Sequence, residues 1–109
     1  MRIAVGIFAI LFGALHIAAA CTQFKSKDPA ARGFAIAMFC GGACAAFEAV
    51  AHVVGNSPNW MDALSVAAGC LLICASAYAN GRRAGNVHLS HHVVRGAIAA
   101  LIVLGTFLW

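Results

Sequence analysis

A chain of 109 residues has the length of one domain, but 63% of it is hydrophobic and only 9% is charged. A soluble domain carries about 25% charged residues, so most of this surface must face something other than water. The net charge of +4 sets seven Lys/Arg against Asp28, Glu48 and Asp62. The basic residues gather as Lys25, Lys27 and Arg32 and again as Arg82, Arg83 and Arg95, between apolar stretches. That pattern reads as topology signals and phospholipid contacts and argues against a nucleic-acid surface. The expected fold is all-α: one integral membrane domain, residues 1–109, of four transmembrane helices joined by short loops.

In chain order, the first span covers residues 3–23 and is interrupted only by His16. Arg2, the apolar stretch and Ala18-Ala19-Ala20-Cys21 imitate a secretory leader. The residue three before Cys21 is Ala18, not the usual Leu of a lipoprotein signal, and the segment is read as a membrane helix. Asp28-Pro29 then supplies an N-cap with Pro at the first helical position, opening a helix over 29–54, with Gly55 just past its end. Ser57-Pro58 repeats the device for a helix over 58–80, ending at Asn80-Gly81. A basic, histidine-bearing loop leads to the last helix, 88–108. Its uncharged part is short for a span of about 20 residues, so Arg95 must snorkel or the helix must begin near Val87.

Loops 23–32 and 81–92, with Arg95 just past the second, hold six of the seven Lys/Arg. The positive-inside rule puts both in the cytoplasm of a bacterial-type inner (plasma) membrane, with both termini outside. Trp60 and Trp109 then fall at the outer interface, where an aromatic belt belongs.

On the second helix, Cys40, Cys44, Glu48 and His52 recur every four residues and form one stripe. Gly33, Ala37, Gly41, Ala45 and Ala49 form an adjacent strip of small residues, which lets membrane helices approach closely. This helix is expected to be central and protein-buried. Glu48 is the only carboxylate inside a span. Inserting one costs about 2.5–3.5 kcal/mol on translocon scales, which makes it a candidate for a proton or cation path with His52 and His16. The structural alternatives are a protonated Glu48 bonded to His52 and a neutral His16 bonded to a backbone carbonyl.

The five cysteines have no C-x-x-C spacing, so neither a disulfide framework nor a thioredoxin-like motif is indicated. Free cysteines pack as small hydrophobes. Cys40, Cys44, Cys70, Cys74 and His16 nevertheless have the donor types for a soft metal such as Cu or Zn. No other cofactor is expected, and His16 and His52 stand about 18 Å apart in depth, too far for a bis-histidine haem. His88, His91 and His92, with Arg82, Arg83 and Arg95, read as a cytoplasmic cluster for anionic lipid head groups, or as a pH sensor or surface metal site.

The architecture is similar to that of the small multidrug resistance transporters in length, helix count and a lone membrane glutamate. Their glutamate lies in the first helix, whereas Glu48 lies in the second, and the charge bias here is strong; the chain is not assigned to them. No phosphate loop, nucleophile motif or soluble catalytic domain appears, so no enzymatic activity is expected. Three functions fit. One is an oligomeric proton- or cation-coupled transporter or channel using Glu48. Another is a non-catalytic accessory or assembly subunit of a larger membrane complex. The third is metal handling through Cys/His ligands. The expected partners are membrane lipids and a second copy, as a homo-oligomer (dimer), or a larger membrane complex; no nucleic acid is expected.

Overall fold

A computed structural model describes residues 1–55 and 60–108. Among them are four helices: α1 (Arg2–Gln23), α2 (Pro29–Val54), α3 (Trp60–Arg83) and α4 (Leu89–Leu108). Each is long and apolar enough to cross a membrane. The shortest, at 20 residues, is about 30 Å long, which matches the hydrocarbon core of a bilayer. The helices alternate in direction and close into a ring, with α1 against α2, α2 against α3, α3 against α4 and α4 back against α1. The bundle measures 45 × 24 × 18 Å.

Helix α2 is the central element, and its glycines show why. A Cβ placed on Gly13 of α1 would lie 2.5 Å from the Gly42 carbonyl oxygen, and one on Gly42 would lie 2.7 Å from the Gly13 oxygen. On the other side of α2, Gly41 and Gly69 of α3 face each other in the same way, each 2.8 Å from the other's oxygen. Both neighbours therefore meet α2 backbone to backbone, an approach that only residues without a side chain permit. Ala45 and Ala49 are fully buried beside these crossings.

The expected small-residue strip is thus only partly a contact. Gly41, Ala45 and Ala49 are buried, Ala37 is half-buried, and Gly33 is exposed with nothing near its Cβ position. A row of every fourth residue turns about 40° per step around a helix of 3.6 residues per turn, so it cannot follow one neighbour over sixteen residues. The same drift splits the Cys40/Cys44/Glu48/His52 stripe. Cys40 is exposed, Cys44 and Glu48 are half-buried, and His52 is enclosed.

The helix ends follow local chemistry. Asp28 caps α2, accepting from the Ala30 N–H at 3.1 Å, with Pro29 in the first turn. Gly55 follows α2 in extended backbone. Helix α3 runs to Arg83, three residues beyond the expected end at 80. Its stop is Gly85, in the left-handed region at φ 69°. The Asn86 N–H reaches the Gly81 carbonyl at 3.0 Å and the Gly85 N–H reaches Arg82 at 3.2 Å, the paired bonds of a Schellman motif. Gly81 is therefore helical, and the terminating glycine is the next one along. The Ser57-Pro58 start of the third helix and Trp109 lie outside the described residues. Trp60 is exposed at the start of α3, at the end of the bundle opposite the basic loops.

The crossings yield a stability prediction. Gly42→Ala or Gly69→Ala must push backbone against backbone, and overpacking of this kind costs roughly 1–3 kcal/mol. Gly33→Ala should be neutral or slightly stabilising. Thermal unfolding in detergent checks both, and equal melting temperatures for all three variants would contradict the close-approach account.

Candidate functional site

A polar concavity opens at the end of the bundle that carries the two basic loops. It is a cavity of about 510 Å³ lined from all four helices. Helix α1 contributes His16 and Gln23, α2 contributes Phe34 and Met38, and α3 contributes Ser76, Asn80 and Gly81. The turn and α4 supply Asn86, His88, His91, His92 and Arg95, and no carboxylate lines the space.

Each polar group is positioned by its own element. His16 Nδ1 lies 2.7 Å from the Phe12 carbonyl one turn back, and its ring rests 4.4 Å from that of Phe12, centroid to centroid. A carbonyl only accepts, so Nδ1 carries a proton, and in the neutral ring Nε2 holds the lone pair. Asn80 Nδ2 donates to Gln23 Oε1 at 3.1 Å, tying the ends of α1 and α3 together. Arg95 Nη1 lies 3.3 Å from His92 Nδ1. Because a guanidinium only donates, that nitrogen of His92 is the acceptor, and the neutral ring carries its proton on Nε2. The ring of His92 also meets Tyr78 edge to face at 5.4 Å. It lies so close to Gly81 that a Cβ there would be 3.3 Å from Nε2. The helical Gly81 thus makes the seat for His92. Arg95 sits within α4, half-buried and facing this cavity, and so is not simply extended toward the lipid surface.

The basic cluster expected from sequence divides accordingly. His88, His91, His92 and Arg95 share the cavity, and His88 starts α4 through its carbonyl, which accepts the His91 N–H at 3.0 Å. Arg82 is exposed. Arg83 pairs with Asp28, its Nη2 donating to Oδ1 at 2.8 Å with a second bond from Nη1 to Oδ2. This bidentate pair, which sequence reasoning missed, ties the start of α2 to the end of α3. Asp28 serves two helices at once, and the Arg83 bonds, followed by the Ala30 N–H, hold its carboxyl below the usual carboxylate range.

The remaining candidates are placed separately. Glu48 and His52 lie in the other half of α2 and line none of the described cavities. His52 is 1% exposed, and neither ring nitrogen has a hydrogen-bond partner, so it is not bonded to Glu48. Cys44 Sγ lies 3.5 Å from the Ser65 carbonyl of α3. Cys70 is buried in the core, Cys74 packs beside it, and Cys40 is exposed. Among the described residues, no three His, Cys, Asp or Glu side chains come together in a way that would hold a metal ion. Comparison of the chain with protein-family models, with curated protein sequences and with solved structures finds no match.

The Asp28–Arg83 pair predicts a pH signature. A folded-state carboxyl with a depressed pKa stabilises above its unfolded value, near 3.9, and loses that contribution as pH falls through the depressed folded value. Asp28→Asn keeps a capping oxygen and removes the charge. It should melt below the wild type at pH 7 and converge with it in acid; melting curves that stay parallel from pH 7 to pH 3 would show that the pair contributes nothing. Both partners are substantially exposed, so the difference should be small and should shrink with added salt.

Proposed function

We propose that this chain is a small polytopic membrane protein that binds an anionic group in the vestibule at its basic end. The observation that carries this reading is the electrostatic state of Arg95. It is a permanent cation within an apolar helix, and no carboxylate lines its cavity. Among the described residues the only ion pair is the one between Arg83 and Asp28. Charge held at membrane depth is costly without a counter-charge, and such residues mark ligand or ion paths. A neutral imidazole relieves little of that cost, whereas an anion entering the vestibule would supply the missing charge. Donors from the two carboxamides and the histidines would bind its remaining oxygens.

The proton- or cation-coupled transport reading draws on a different observation. His52 is enclosed, both its ring nitrogens lack partners, and it lies one turn from Glu48 on α2. A group that must find a partner in order to stay buried is suited to passing a proton. The two readings separate experimentally.

Inorganic phosphate titrated into the detergent-solubilised protein, followed by calorimetry, should bind saturably. A charge-assisted hydrogen bond contributes about 1.5–3 kcal/mol, so Arg95→Gln should weaken binding roughly tenfold or more, and the exposed Arg82→Gln should not. An unchanged affinity in the Arg95 variant would overturn the anion reading. Proton flux in liposomes that disappears in Glu48→Gln, with phosphate binding intact, would instead establish the Glu48 path.

A further inference from the structure

One group in the vestibule cannot serve an anion in the state the fold gives it. His16 Nδ1 is committed to the Phe12 carbonyl at 2.7 Å, and its ring is held against that of Phe12. The neutral ring therefore offers the vestibule only the Nε2 lone pair, which has no partner among the described residues. The other three histidines differ. His92 accepts from Arg95 on Nδ1 and so carries its proton on Nε2. His88 and His91, whose rings meet at 5.6 Å, make no side-chain hydrogen bond among the described residues. Each of them can turn a protonated nitrogen toward a ligand without gaining charge. His16 and Arg95 border the vestibule together, and together they border a second cavity of about 430 Å³ lined by α1 and α4. An anion at the Arg95 guanidinium thus also meets the His16 ring.

We infer that the vestibule takes a doubly charged oxyanion together with one proton, which lies between His16 Nε2 and an oxygen of the anion. The inference rests on the anion reading and adds the proton and the class of anion. An anion oxygen and the Nε2 lone pair are both acceptors, and two acceptors repel unless a hydrogen stands between them. The proton comes from the medium through the open end of the vestibule, or arrives on the anion itself, and no other bond changes. With the proton on Nε2, His16 is an imidazolium whose two N–H groups donate to Phe12 and to the anion. Charge then decides the class. One guanidinium, one added proton and one dianion sum to zero, so the loaded site is neutral. A carboxylate monoanion with the same proton leaves a net positive charge in an apolar bundle, which is costly at membrane depth. Without the proton, it leaves the Nε2 lone pair facing oxygen. The charged and titratable groups that face His16 across the two cavities are Arg95, His88, His91 and His92, all from α4 and the turn before it. The residues that α2 and α3 contribute carry no titratable group.

Sulfate is the probe, because it carries no proton of its own near neutral pH and any proton bound with it must come from the medium. Calorimetry of the detergent-solubilised full chain just above neutral pH, in two buffers of different ionisation enthalpy, should show about one proton taken up per sulfate bound. Uptake on binding favours low pH. Sulfate affinity should therefore fall as pH rises, by about tenfold per pH unit where His16 is neutral in the free protein. His16→Gln, whose amide N–H can meet the anion without an added proton, should still bind sulfate, with no uptake and a nearly flat pH dependence. Sulfate binding without proton uptake, or uptake that survives in a folded His16→Gln variant, overturns the inference and leaves the anion reading standing. Phosphate binding with no sulfate binding, even in mildly acidic buffer, overturns it in the same way. Failure of both anions to bind removes both readings. A measurement on the unaltered protein covers misfolding of the variant. In nitrogen NMR of the chain labelled in its histidine rings, saturating sulfate should convert one unprotonated ring nitrogen into a protonated one. A spectrum in which no histidine gains a proton would refute the shared proton.

Discussion

Two backbone crossings, Gly13 on Gly42 and Gly41 on Gly69, set the geometry on which the rest of the bundle depends. Adjacent glycines on α2 face opposite neighbours, so one turn of one helix fixes α1 and α3 at once. Two apolar helices in lipid gain little from hydrophobic burial, because lipid chains are as apolar as leucine. For helices in that setting, close van der Waals approach supplies the association instead. At these points it does so with carbonyl oxygens within 3 Å of where a side chain would begin. Such an approach leaves no room for a ligand at the crossings themselves.

The space therefore collects where glycine pairing is absent. Helix α4 meets α1 through Val5 and Gly105, a side chain on a glycine, and holds it at one end only. Toward the basic end the ring loosens, and there the polar groups of α1, α3 and α4 converge. The turn between α3 and α4 contributes as well. Because α3 continues through Gly81 and stops at Gly85, the helical Gly81 offers a smooth face on which His92 rests, and His92 in turn accepts from Arg95. The helix-ending motif and the placement of the cation are thus one continuous chain of contacts.

Much of this was legible in the sequence, and the reasons differ by element. Composition and the Asp28-Pro29 start located α2 to the residue, because a capping side chain and a proline are local signals. Helix α3 reads short in the sequence because Asn80-Gly81 looks like a stop. A glycine just ahead of a basic pair can be either helical or left-handed, and only the later Gly85 takes positive φ. The small-residue strip on α2 signalled close packing, but spacing by four could not say which neighbour each residue meets. The pairing of Gly42 with Gly13 needed the partner helix. The Asp28–Arg83 pair and the vestibule join residues from distant parts of the chain, and no local pattern encodes such a meeting. The polar residues that form the vestibule are each visible in the sequence, yet Glu48, the lone acid in a span, is the stronger local signal.

The contrast between Glu48 and Arg95 bears on which of them a ligand would need. A carboxyl group at membrane depth has an inexpensive escape: it can take up a proton and become a neutral hydrogen-bonding group. A guanidinium has no such escape, since it stays charged at any pH a cell presents. Glu48 is half-buried and lines none of the described cavities, whereas Arg95 faces a cavity whose residues contain no counter-charge. Histidines 88, 91 and 92 would add to the positive charge if protonated and cannot balance it. The single acid close to the basic end, Asp28, is already engaged by Arg83 and by its own helix terminus. On the anion reading the counter-charge comes from outside the chain, and the vestibule's opening at the basic end is the route by which an anion would bring it.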